Sequence, residues 1–359
     1  MCRSIPTIDR ATSLERVLRN LEEIVTQESL GNDVRVFISD NCSEDRTPDV
    51  IREFATSFPF ASALRADHRL TFDENVLRCF EATSTRFLWV CNDHSGFIGE
   101  NVVRAIQFLK DHDAPGSFFY VPNEGSLAVA ADIERSSRFG LALTNTLINC
   151  SVFDREEVLP FYRSLMPEYN GSWLVFLAAN LQMLHARDGH AFLIPYECTR
   201  YAQFADGSRQ RHSWSSDWDS YVTVGRIGAR LIASLVEHLP VPAQEVRAVF
   251  RARGWGLAAV GVYKRLRLGN LGARYTAEVA DEICAHRTYT APEKLLIRVF
   301  VSGGGLSVRL CGFLVSLVSM VVSVSRRVRS ATLRTQSSAR NTHGQQLGRG
   351  SKSSSMRSK

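Results

Sequence analysis

Short apolar runs of strand length recur along the N-terminal part of the chain, and each stops at a polar turn that carries an aspartate. Asp9 follows residues 1–6, Asp40 follows residues 34–39 (VRVFIS), and Asp93 follows residues 87–91 (FLWVC). Between these runs the spacing changes to that of helices. Leu14, Val17, Leu18, Leu21, Ile24 and Val25 fall on one face, and Thr12 with Glu15 spells a capping box at its start. Thr47 and Pro48 provide a cap and a first helical position for a second helix, and Val102, Val103, Ile106 and Leu109 mark another. Strands alternating with helices imply a parallel sheet with right-handed crossovers, and such sheets bind ligands beyond the carboxyl ends of their strands. Three carboxylates far apart in sequence are therefore expected to gather on one rim.

The first strand has to sit centrally yet begins at Met1, so the natural start is expected a few residues upstream. Residues 1–10 lack the apolar segment of a cleaved export signal. The eight cysteines form no C-x-x-C pair and no zinc-like spacing, which suits a reducing compartment and chemistry on the cytoplasmic side. The net charge of +6 is a property of the C-terminus: residues 326–359 hold nine Lys/Arg and no Asp or Glu, which leaves the rest of the chain net acidic. A nucleic-acid-binding core is disfavoured on that ground.

Organisation follows from these shifts in pattern. Residues 1–240 read as one α/β domain, with a nucleotide-binding half at 1–110 and a second half at 111–240 whose apolar stretches (141–152, 173–184, 191–195) are separated by polar turns. Residues 241–300 read as a helical region, 301–329 as an apolar and basic membrane-proximal segment, and 330–359 as a disordered basic tail. The apolar run 310–324 falls short of the ~20 residues a spanning helix needs. An interfacial helix beside a polybasic segment is the preferred reading, with a buried or single-spanning helix as the alternatives.

Four segments then carry a resemblance: SIPTIDRA (4–11), VFISDNCSEDRT (36–47), RLTFDENVLRCFE (69–81) and FLWVCNDHSGF (87–97). In order and spacing they resemble family 2 glycosyltransferases of GT-A fold, most closely the abequosyltransferase-like branch associated with bacterial surface polysaccharides. The resemblance covers residues 1–110 well and 140–215 loosely. It implies a mostly parallel central sheet and inverting transfer from a nucleotide-diphosphate sugar to a glycan or lipid-linked acceptor. Thr7 and Asp9 would line the nucleotide pocket, Asp40 would contact the base or ribose, and Asn75 and Arg78 would add donor contacts. Asp93 would hold Mg²⁺ or Mn²⁺ against the diphosphate, with His94 as a further ligand. Ser95 stands where the second acid of the family's D-x-D motif is expected, which keeps open a non-catalytic sugar-nucleotide or glycan-binding scaffold.

Glu168 is the first candidate for the base that takes the acceptor proton and Asp188 the second. The segment QRHSW (210–214) resembles the Q-x-x-R-W motif of processive members, but Ser213 stands in the Arg position and no set of long membrane helices follows, so a polymerising synthase is disfavoured. His185, His190 and His212 lack metal-ligand spacing. An oxidoreductase lacks its G-x-G-x-x-G fingerprint near the first strand. A nucleotidyltransferase lacks its Gly-rich phosphate loop with a partnered Lys.

Overall fold

The computed structural model describes residues 1–134, 139–144 and 148–201, together with the single position 291. The expected motif at 210–214, the helical region 241–300 apart from position 291, and the segments 301–329 and 330–359 lie outside the described residues. No helix among the described residues is long and apolar enough to cross a membrane.

In chain order the elements are β1 (Cys2–Thr7), α1 (Ala11–Gln27), β2 (Arg35–Asp40), α2 (Thr47–Ser57), β3 (Ala61–Arg65), α3 (Phe72–Ala82), β4 (Phe87–Val90), β5 (Ser95–Phe97) and α4 (Gly99–Asp111). They continue with β6 (Phe118–Tyr120), α5 (Leu127–Glu134), α6 (Gly140–Thr144), β7 (Ser151–Asp154), α7 (Arg155–Tyr169), α8 (Val175–Ala186), β8 (Ala191–Leu193) and β9 (Thr199–Tyr201). Seven strands form one sheet in the order β3-β2-β1-β4-β7-β6-β8, and β5 pairs with β9 in a separate ribbon. All strands of the large sheet run parallel except β7, which opposes both β4 and β6. The mostly parallel sheet and the central place of β1 match the sequence expectation.

Two apolar layers cover the sheet. On one face α1, α2 and α4 bury Leu14, Val50 and Val102; on the other α3, α7 and α8 bury Val76, Val158 and Leu181. Covering on both faces explains why β4 is a continuous apolar run rather than an alternating one. The expected face of α1 is the buried one.

The capping box expected at Thr12 and Glu15 is not formed. The helix begins two residues earlier, with Arg10 rather than Thr12 at the cap and no side-chain cap bond. Its first N–H groups are served from another segment: Arg10 donates to Thr47 Oγ1 at 2.9 Å and Ala11 to Asp45 Oδ2 at 3.1 Å. Glu15 instead pairs with Arg19. A complete capping box does occur at α3, where Thr71 and Glu74 each accept the other's backbone N–H, at 2.7 and 3.1 Å. The strands β3, β6 and β7 and the reversed direction of β7 are additions to the sequence reading.

Candidate functional site

Because β1, β2 and β4 are parallel and adjacent, their carboxyl ends share one rim. Thr7 closes β1 directly beside Asp40, which closes β2. Asp93 lies three residues past the end of β4. The Thr7 hydroxyl donates to Asp93 Oδ2 at 2.8 Å, and both side chains are buried. The other carboxylate oxygen of Asp93 faces His94 Nδ1 at 3.2 Å. The first and third strand ends are thus joined by a side-chain bond across 86 residues of sequence.

Asp40 is buried, and its Oδ1 accepts the Ser43 N–H at 3.1 Å. Its Oδ2 has no hydrogen-bond partner among the described residues, the nearest cation being Arg65 Nε at 3.7 Å. That leaves one carboxylate oxygen available to a donor N–H or hydroxyl. Asp9 adopts a left-handed backbone, φ +51°. Its N–H reaches Ser43 Oγ at 2.9 Å, its Oδ1 accepts the Glu44 N–H at 2.7 Å, and its Oδ2 pairs with Arg69 at 2.9 Å. The left-handed turn aims both ends of Asp9 into the loop that follows β2.

Asn41 completes the frame. Its N–H donates to Thr7 O at 2.9 Å, and its side-chain amide exchanges two bonds with Leu70, 2.9 Å to the carbonyl and 2.7 Å from the N–H. Residues 69–71 are thereby held against the rim just before α3 starts. The sequence reading did not single out Asn41, Arg65 or Arg69; the last lies inside the quoted segment 69–81.

Residues 4–155 match the family model for glycosyl transferase family 2. The match ends at the first residue of α7, so it contains the whole rim and leaves out the α7–α8 connection. No curated protein sequence matches the chain. Among solved structures, the mannosyltransferase PcManGT from Pyrobaculum calidifontis, in complex with GDP-Man and Mn²⁺, superimposes with a TM-score of 0.50 at 12% identity, covering 88% of this chain and 79% of that one. TarS from S. aureus gives 0.51 at 11% identity, covering 86% of this chain and 54% of the TarS chain, and its 1–349 fragment gives 0.50 at 10%, covering 84% and 88%. These likenesses show a GT-A-type fold, within which residues 4–155 are similar to the glycosyl transferase family 2 model.

The structure does not bring every expected residue to the rim. Asn75 is buried and engaged with β2: its Oδ1 accepts the Ser39 hydroxyl at 2.6 Å and its amide donates to Ser39 O at 3.4 Å. It braces the strand that ends in Asp40 rather than facing a nucleotide. Arg78 lies one turn farther along α3, which runs away from the rim, and its Nη1 is buried without a partner among the described residues. Glu168 is exposed on the last turn of α7, the end that reaches the rim side. Asp188 is exposed in the turn leading into β8, whose parallel alignment with β6 places that turn at the opposite edge of the sheet. The interval in sequence after Asp93 does not reveal which edge a loop will occupy. His185 and His190 are exposed and stand apart from Asp93 in the chain, on the last turn of α8 and just before β8.

A further acid emerged only from the structure. Asp73, in the first turn of α3, is fully buried, and its Oδ2 accepts the N–H groups of Gly171 and Trp173, each at 2.9 Å. Burial pushes its carboxyl up to about 6, against the pull of backbone hydrogen bonds from residues 171–175. The capping box at Thr71 and Glu74 was the available signal, since it places Asp73 in a helical first turn.

Proposed function

We propose that the protein transfers a sugar from a nucleotide-diphosphate donor to a hydroxyl of a glycan or lipid-linked acceptor, with inversion, as an abequosyltransferase-like enzyme of surface polysaccharide synthesis. The observation that carries this reading is the rim itself. Asp9, Asp40 and Asp93 stand at three strand ends of a GT-A-type sheet, and Thr7 ties the first strand to Asp93. The free oxygen of Asp40 suits a base N–H or ribose hydroxyl. Arg65 and Arg69, each about half exposed beside Asp40 and Asp9, place positive charge next to the donor pocket.

The residues after β4 also fit a divalent ion held sparsely. Asp93 supplies a carboxylate with His94 beside it, and the buried Ser95 hydroxyl, in the altered motif position, has no hydrogen-bond partner among the described residues. No group of three or more His, Cys, Asp or Glu side chains stands together among the described residues, so most ligands would come from phosphates and water. An ion held there by Asp93, with His94 as further ligand, would supply positive charge against the departing diphosphate.

In the transfer, the acceptor oxygen bonds to the anomeric carbon as the bond to the diphosphate breaks. The electron pair leaves with the diphosphate and the hydroxyl proton passes to a carboxylate. Of the two acids expected for that role, only Glu168 stands at the rim end of its helix, and it is the proposed base. The basic segment 326–359 is proposed to hold the enzyme at an anionic membrane surface on the cytoplasmic side, where a lipid-linked acceptor would be concentrated.

The test is nucleotide diphosphate release from a panel of UDP-, GDP- and dTDP-sugars with Mn²⁺ or Mg²⁺. Release that falls about 100-fold in Asp93→Ala is expected. Donor binding without release, with membrane extract supplied as acceptor, would favour the scaffold reading that Ser95 keeps open. Neither binding nor release would overturn both readings.

A further inference from the structure

The connection between α7 and α8 carries a conformation that needs a reason. Trp173 has φ +62°, a left-handed backbone that bulky side chains rarely adopt. Such positions persist only where surrounding contacts over-determine them, and they concentrate at ligand sites. Here the contacts are explicit. Asp73 takes the N–H groups of Gly171 and Trp173. Thr71 donates to Asn170 Oδ1 at 2.5 Å, and Asn170 donates to Glu74 Oε1 at 3.0 Å. The result is a Trp173 ring laid on Phe72, with centroids 5.3 Å apart and planes inclined by 32°. Both rings remain partly exposed.

The place of this pair narrows its use. Phe72 follows directly on residues 69–71, which Asp9 and Asn41 hold at the donor rim. The aromatic pair therefore borders the nucleotide pocket, but it approaches from the acceptor half of the domain. Its Trp173 member also lies outside the family match at 4–155, in which Phe72 and the rim carboxylates sit. Donor chemistry belongs with the matched residues, and the segment beyond them is where an acceptor particular to this chain would be recognised. A sugar ring presents apolar C–H faces and an equator of hydroxyls. An aromatic face rimmed by Asn170, Thr71 and Glu74 meets both requirements: the ring's negative face attracts C–H groups, and the polar rim offers hydrogen bonds.

We propose that Trp173, fixed by Asp73 and supported by Phe72, is the platform on which the acceptor's sugar ring docks. The proposal rests on the glycosyltransferase reading, and its test is independent of turnover. The full-length protein is mixed with methyl glycosides of glucose, galactose, mannose and N-acetylglucosamine, and saturation-transfer NMR reads contact with the sugar C–H protons. Wild-type protein is expected to contact at least one of them. Trp173→Gly, which accepts the positive φ without strain, should weaken that contact by about fivefold, whereas Trp173→Phe should keep more than about half.

No contact in the wild type, or contact unchanged in Trp173→Gly, would overturn the platform. Displacement of the glycoside by UDP would also overturn it, by placing the sugar in the nucleotide pocket. Saccharide contact without nucleotide release would count against the transfer reading alone. Nucleotide release without saccharide contact would count against the platform alone.

Discussion

The two faces of the central sheet each bury a charged side chain, and they treat it in opposite ways. Beneath α1 and α4, Arg3 of β1 is 1% exposed and lies between Trp89 and Phe97, its guanidinium 4.5 and 4.2 Å from their ring centres. None of its three nitrogens meets a hydrogen-bond acceptor among the described residues, and burial pulls the group down to about 10. Beneath α7, Asp73 is equally buried but receives two backbone N–H groups from a segment about a hundred residues away. Cation–π contact offsets part of the cost of burying Arg3. The hydrogen bonds of Asp73 do more, because they fix the position of a loop. A buried charge with directional partners joins two parts of a site, whereas one held only by ring faces fills space at a net cost.

The contrast is tested most severely at Asp73. Its replacement by Ala would leave two N–H groups buried and unpaired, so the full-length protein is expected to lose about 3 kcal/mol in urea unfolding. A loss under about 1 kcal/mol would show that water replaces the carboxylate and would remove the link from the argument. At Arg3 the opposite sign is expected. Arg3→Met keeps the volume and the ring contacts while removing an unpaired charge, and should raise stability by about 1–2 kcal/mol in the same assay. A destabilised Arg3→Met would mean that the guanidinium has a partner after all, and the two faces would then be alike.

The third expected effect is the smallest. The folded carboxyl of Asp73, at about 6, lies above its ordinary 3.8, so the native state binds this proton more tightly than the unfolded chain does. Its contribution to stability is fully present below pH 3.8 and is lost as pH rises through 6. Between pH 7 and 5.5 the wild type should therefore gain about 1 kcal/mol relative to Asp73→Asn, which has no proton to take up. Parallel pH profiles for the two proteins would contradict the raised value. The added proton has a natural seat on Oδ1, the oxygen without a partner among the described residues, so the bonds to Gly171 and Trp173 survive it.

The rim was legible in the sequence because each of its acids ends an apolar run long enough to mark a strand, and parallel strands put such ends together. The α1 face was legible for the same kind of reason, a period that burial enforces. β3 was not, since Ala61–Arg65 is a short edge strand with only partial burial and thus no apolar signature. The direction of β7 leaves no mark in its composition. T-x-x-E occurs at both Thr12 and Thr71, yet only the second forms a capping box. Asp45 and Thr47 already satisfy the start of α1, and no local pattern can report a partner that arrives from a distant segment. Asp73 was hidden in the same way, its partners lying about a hundred residues downstream.

That separation has a consequence for how the molecule is made. At ~5–20 residues per second, α3 leaves the ribosome some 5–20 s before the backbone groups that will cover Asp73. In the interval the carboxylate is ionised and hydrated, and α3 cannot settle fully onto β2 without stripping that water. The N-terminal part of the sheet therefore waits in an open form until residues 171–173 are translated, so the rim closes only when about half of the chain has been made.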